Sequence, residues 1–438
     1  MYERIKSILL TVLIGLSITL TWMLWTYRPA YDYLETTKYI LEQTVSNRKA
    51  DIATIVKPER ILFHKGDRHY GSSTFGEVYS IFQDMKKWKM EQFDQVLDTL
   101  DYEGFQDFIA DNADVEIDFP TTIPIDAAHS MFQVAARNDN ASFSFDKIIL
   151  DVTSNRRGVY FISTYNNTIF RAEVERVYLD AFRDRYYQNA TNYQSYELFK
   201  LTDSRSIYVL NEEIEMQRQQ YYIETIEPEV FKDALFPDPT YVKRDIFTFG
   251  EKYTDGTSLM DVNHYDQLLL FVNTSSTNNA NKRTTQLLEK SISFLNDHGG
   301  WTDYYLLSEL DIYQEKVQFR LTIGGYPVFN QNGLAEIQQI WLDNEIFQYQ
   351  RPYFNFGIPL NRDVIPVSMP SGLSVLEKLK SKKDFNMTML EDITLGYELI
   401  KDPLLQKVVQ LEPRWYAKYA GKWQPIVFNE VMNVGGDQ

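Results

Sequence analysis

The chain has 438 residues, 44 % of them hydrophobic and 15 % aromatic, enough for two or three packed domains and too apolar for a disordered stalk. Its net charge of −17 repels phosphate backbones and argues against nucleic acid as a partner. It has no cysteine, which excludes disulfides, thiol chemistry and lipoprotein anchoring.

The first predicted element is a membrane span. Ile8 to Trp25 reads ILLTVLIGLSITLTWMLW, without a charge or a proline. At about 1.5 Å per residue this helix covers roughly 27 Å, close to the hydrocarbon core of a bilayer. Arg4 and Lys6 precede it, and Trp22, Trp25 and Tyr27 close it. Residues 1–28 are therefore expected to be a cytoplasmic stub and a single-pass signal anchor in the cell membrane, with the main body extracytoplasmic. A cleaved signal peptide is the competing reading. Its cleavage site wants small residues where this chain has Trp22, Met23, Leu24 and Trp25. Ser7, Thr11, Gly15 and Thr19 recur every four residues as a small-residue stripe, the pattern that lets two membrane helices approach closely. Such residues are also ordinary in single spans. Outward topology without cysteine points to a bacterial protein.

Residues 29–200 have the content of one α+β domain. A stem covers 29–47, and 55–63 is extended. Residues 72–100 have helical spacing in Phe75, Tyr79, Phe82, Met85 and Trp88, continuing to Phe93. Strands follow at 115–119, 145–152 and 158–165, the last turning at Asn166-Asn167 into 168–174, and 175–189 is helical. Residues 201–310 form a middle α+β domain. It has strands at 206–210, 241–249 and 266–272, a turn at Tyr253-Thr254-Asp255-Gly256, and a helix over 282–297 stopped by His298-Gly299-Gly300. Residues 311–438 form a β-rich C-terminal domain in which 316–323 turns at Gly324-Gly325 into 326–329. A β-rich run over 335–353, a short helix at 374–380 and strands at 393–400, 408–415 and 422–428 complete it. The expected fold class is α+β: an N-terminal transmembrane helix followed by a three-domain extracytoplasmic part rich in antiparallel β-structure.

No catalytic constellation emerges. The five histidines, His64, His69, His129, His264 and His298, form no His-Glu-x-x-His pair, and a spacing of five puts His64 and His69 on different faces of a helix. There is no nucleophile elbow and no phosphate loop. Asp111, Asn112, Asp114 and Glu116 come nearest to calcium-loop spacing and fall short of it. No cofactor or metal is expected, and the chain is read as a non-enzyme. The 30 Tyr, 27 Phe and 7 Trp are more informative. Tyr304, Tyr305, Trp341, Tyr353, Trp415 and Trp423 are candidate partner contacts, since such rings bury area at little entropic cost. The alternative is that they fill β-rich cores.

The opening Ile5-Lys6-Ser7-Ile8-Leu9-Leu10-Thr11-Val12-Leu13, with Leu20-Thr21-Trp22 and Trp25-Thr26-Tyr27, resembles the start of the YycH (WalH) family. Tyr253-Thr254-Asp255-Gly256 and His298-Gly299-Gly300-Trp301-Thr302-Asp303 are similar to that family's middle region. The resemblance covers the whole chain. It implies an extracytoplasmic accessory protein of low-GC Gram-positive bacteria that acts with its sister protein YycI on the sensor histidine kinase WalK (YycG) of the WalKR two-component system, which governs cell-wall metabolism. It also implies three domains, the C-terminal one similar to YycI, and partner contacts through both the membrane helix and the outer part. It brings no catalytic residues. An extracytoplasmic binding protein for a cell-wall fragment or peptide is the alternative function, and homo-oligomerisation stays open.

Overall fold

The computed structural model describes residues 2–26, 46–96, 102–134, 143–154, 157–202, 205–274, 284–342, 345–360, 365–383, 385–402 and 404–427. The chain divides into two compact units, Met1–Gln43 and Thr44–Gln438. In the first, Tyr2–Thr26 is one α-helix. Thr19 Oγ1 donates to the Gly15 carbonyl at 2.8 Å, so that hydroxyl is satisfied within the helix. Side chains are described without a break only over 13–22, and among the described residues no helix is long and apolar enough to cross a membrane. The side chains of Ser7 and Thr11 and most of the expected stem lie outside the described residues, as do the segment 97–101 and the C-terminal tail.

The second unit is sheet-rich α+β, built on two large sheets. The first holds ten strands from Arg60–Lys65 to Arg205–Leu210. The interior strand Gly158–Ser163 is buried along its whole length, which is why GVYFIS carries no polar alternation. One face is covered by the helix Tyr102–Asn112, whose Phe105 packs with Ile149, Tyr160, Ile162 and Ile169. The other face joins the main core. The turn at Asn166-Asn167 forms with Ser163 paired to Thr168 and Asn167 in the left-handed region. The helical reading of 72–100 is corrected: the helix is Phe75–Met85, and Lys89–Gln95 is a strand paired with Thr168–Val174. A bulge between Glu91 and Phe93 shifts the register there, so the apolar spacing mimics a helix.

The second sheet runs through fifteen strands and is antiparallel except where Tyr326–Phe329 meets Leu390–Lys401. Strands from both sides of residue 310 pair directly: Leu268–Asn273 lies against Glu345–Pro352. The strand Ile214–Thr225 joins Val408–Tyr419, far along the chain. The helix Thr284–Asp297 stops as expected, with Gly299 at φ +61° and the Gly300 N–H on the Leu295 carbonyl at 2.7 Å. Gly324 and Gly325 form the two-residue turn between Ile323 and Tyr326, both with positive φ. One hydrophobic core runs beneath both sheets.

Candidate functional site

Where the two sheets meet, the chain enters through a short helix, Ile52–Ile55, capped by Asp51, whose carboxylate accepts the Thr54 N–H at 2.7 Å. The Ala53 carbonyl accepts two ammonium groups, Lys57 Nζ at 2.6 Å and Lys86 Nζ at 2.8 Å. Lys57 is only 7 % exposed. Burial and then the Lys86 charge push its ammonium down to about 7. Pro58 and Glu59 lead into the strand Arg60–Lys65. A cavity of about 110 Å³ opens here, with Lys57, Glu59 and Phe75 on one wall and Arg320, Phe329 and Trp423 on the other. Arg320 is held by Glu336 at 2.6 Å and lies 4.4 Å over the Phe329 ring, which also packs on Trp423.

Beside the cavity runs a seam of charge. Arg60 donates to Asp118 at 2.8 Å and to the Tyr208 carbonyl at 3.0 Å, and stands 4.0 Å from Asp392 of the second sheet. Lys147 lies 3.1 Å from Asp118 and also binds Glu116. Burial works against the Glu116 charge, yet Lys147 and His64 reverse the balance and hold its carboxyl well below the usual range. Glu59 and Asp392 go the other way: burial raises both carboxyls. Glu59 leaves much of its surface uncovered, but that surface faces a protein-walled cavity, so crowding and the Asp392 charge act on it as burial would.

His64 and His69 are brought together, against the expectation of separate faces. Gly66 and Asp67 form a two-residue hairpin turn, which sets His64 directly opposite His69 with Nδ1 atoms 2.8 Å apart. One ring must donate and the other accept, so the pair holds one proton between these atoms. Burial, then the His64 charge, keeps His69 below its ordinary 6.5. As pH falls through that value the unfolded chain gains protons that the folded chain refuses, so stability drops towards low pH. The contribution of this pair between pH 7.5 and 5 is a loss of stability, so the urea midpoint of His69→Asn is expected to fall less, or rise more, on acidification than that of the unaltered chain; equal slopes would remove the pair from the pH response.

The expected partner-contact rings divide. Tyr305, Trp341, Tyr353 and Trp415 are buried, so they offer no surface and fill the β-rich core instead. Their polar atoms are satisfied inside: Trp341 donates to Ser291 Oγ at 2.9 Å and Trp415 to the Pro370 carbonyl at 3.0 Å, while Tyr353 meets His264 at 3.0 Å. Tyr304 is half-buried between Phe75 and Arg48. Trp423 is half-buried on the cavity wall. The nearest calcium-like run is spent elsewhere, with Asp114 accepting the Val152 and Thr153 N–H groups and Glu116 on Lys147. His298 caps its helix and stacks on Phe294.

These features define a class: a sheet-rich α+β protein with two large sheets over a shared core and a ligand-sized cavity at their junction. The chain belongs to the YycH family, residues 3–218 matching "YycH protein, N-terminal domain" and residues 204–431 matching "YycH protein, C-terminal domain". The two matches overlap where the chain passes from Arg205–Leu210, the last strand of the first sheet, to Ile214–Thr225 in the second. A relative described as two-component system WalR/WalK regulatory protein YycH, from Bacillus subtilis (strain 168), is 27 % identical, with 99 % of this chain and 98 % of the relative covered. The crystal structure of YycH from Bacillus subtilis has the same fold, with a TM-score of 0.72 at 23 % identity over 88 % of this chain and 99 % of that one.

Proposed function

We propose that this chain is a membrane-anchored extracytoplasmic accessory protein that regulates the WalK (YycG) sensor histidine kinase together with YycI, and so sets the expression of cell-wall metabolism genes. The observation that carries this reading is the end-to-end match, over 99 % of the chain, to a WalR/WalK regulatory protein. The anchor is the apolar run Ile8–Trp25 within the helix Tyr2–Thr26. The role is non-enzymatic, with no cofactor and no nucleic acid. A bound partner shifts the kinase between states only by its different affinity for each, and in this reading both the helix and the outer part contact the kinase or YycI.

The division of the outer part at about 200 and 310 belongs to this proposal, as does the likeness of 311–438 to YycI. The pairing of Leu268–Asn273 with Glu345–Pro352 means that the second and third parts share a sheet. The stripe Ser7, Thr11, Gly15 and Thr19 is the proposed helix contact. Replacing Thr11, Gly15 and Thr19 by leucine is expected to cut co-purification with WalK from detergent several-fold while membrane insertion is kept. Unchanged recovery of the kinase would take the helix out of the mechanism.

A further inference from the structure

Two groups of opposite sign on the cavity wall, Lys57 and Glu59, form no ion pair among the described residues. Lys57 Nζ reaches the Ala53 carbonyl and lies 5.0 Å over the Tyr79 ring, and among the described residues it forms no ion pair. The chain has 61 acidic residues to 44 basic ones, yet the carboxylate that acts on this buried lysine, Asp51, does not form an ion pair with it. Two residues on, Glu59 is tied only through its backbone, whose N–H donates to the Asp118 carbonyl at 2.9 Å. Among the described residues its carboxyl forms no ion pair either. The guanidinium next to it, Arg60, is engaged by Asp118 at 2.8 Å and Asp392 at 4.0 Å.

Lys57 and Glu59 line the same cavity and do not pair with each other. A simple anion would meet Lys57 but face the carboxyl of Glu59. A simple cation would meet Glu59 but face Lys57 and Arg320. A molecule with one charge of each sign at its two ends satisfies both residues at once. Phe75, Phe329 and Trp423 supply apolar wall suited to a small apolar middle, and the one further charge on the lining, Arg320, is already engaged by Glu336 at 2.6 Å. A volume of about 110 Å³ has room for on the order of eight water-sized groups, the scale of an amino acid or a dipeptide.

We propose that this cavity binds a small zwitterion, an amino acid or dipeptide with both termini free, whose carboxylate meets Lys57 and whose ammonium meets Glu59. The site does not depend on the regulatory reading: loss of kinase association with ligand binding intact would leave it standing. Calorimetric titration of the full chain in detergent tests it, using dialanine in both chiral forms, N-acetyl-dialanine and dialanine amide. Saturable binding of dialanine is expected, with each capped form weaker by about tenfold or more. Glu59→Gln should lose its discrimination against the acetylated form, and Lys57→Met its discrimination against the amide. The comparison of capped with free dipeptide needs no variant, so it stands even if a variant fails to fold. No saturable heat with dialanine, equal binding of the capped forms by the unaltered chain, or discrimination unchanged in both folded variants would overturn the proposal.

Discussion

Arg351→Met is expected to destabilise the outer unit by about 3 to 5 kcal/mol, since each hydrogen bond from a charged group is worth about 1.5 to 3 kcal/mol and unmet acceptors add to the loss. Arg351 is fully buried at 0 % exposure. Its guanidinium donates to the Gly300 carbonyl at 2.7 Å, the Thr302 hydroxyl at 3.0 Å, the Tyr349 hydroxyl at 3.1 Å and the Pro352 carbonyl at 2.9 Å. It thereby fixes the loop after the helix Thr284–Asp297 to the second sheet. Methionine fills much of the volume but leaves two buried carbonyls without that donor. Urea unfolding of the full chain in detergent measures the loss, and a change below about 1 kcal/mol would show that water or a rearranged loop takes over the acceptors.

Gly325→Ala is expected to cost about 3 kcal/mol, combining left-handed backbone with overpacking. Gly325 has φ +89°, and a methyl group there would overlap Phe75 Cβ and stand 2.7 Å from the Phe75 nitrogen. That nitrogen is the first of the helix Phe75–Met85, so the methyl group meets backbone and not the far end of a flexible side chain. Gly324→Ala is the control: φ is +60° but the surrounding space is open, so only the backbone penalty of about 1 kcal/mol remains. Equal costs for the two would mean that the contact between the turn and Phe75 carries no load.

Local chemistry was legible in the sequence where one turn or one helix end decided the structure. Gly324-Gly325, Asn166-Asn167 and the glycine stop after Asp297 each appear where the residues require them. Pairing across long stretches was not. Nothing in Ile214–Thr225 shows that its neighbour is Val408–Tyr419, because a strand's pattern specifies a face and not a partner. The bulged strand Lys89–Gln95 carried apolar spacing that suited a helix. His64 and His69 were separable by helical geometry and adjacent by hairpin geometry, and the signal that decides is Gly66-Asp67 between them.

The candidate site was the least legible part. Four of the six singled-out rings, Tyr305, Trp341, Tyr353 and Trp415, are core, because alternating strands bury every second large side chain. Only Trp423 reaches the cavity. Lys57 and Glu59 belong to no motif; their meaning depends on Phe329 and Trp423 arriving from the other sheet, which spacing cannot show.

The central claim is that the acidic body stands outside the cell, tethered by its first helix. The chain has no cysteine, so a single Tyr265→Cys change at a position 77 % exposed gives one thiol to label. Treating intact cells with a charged, membrane-impermeant maleimide should modify that thiol on full-length, membrane-bound protein. Labelling that appears only after lysis would place the body inside and contradict the account.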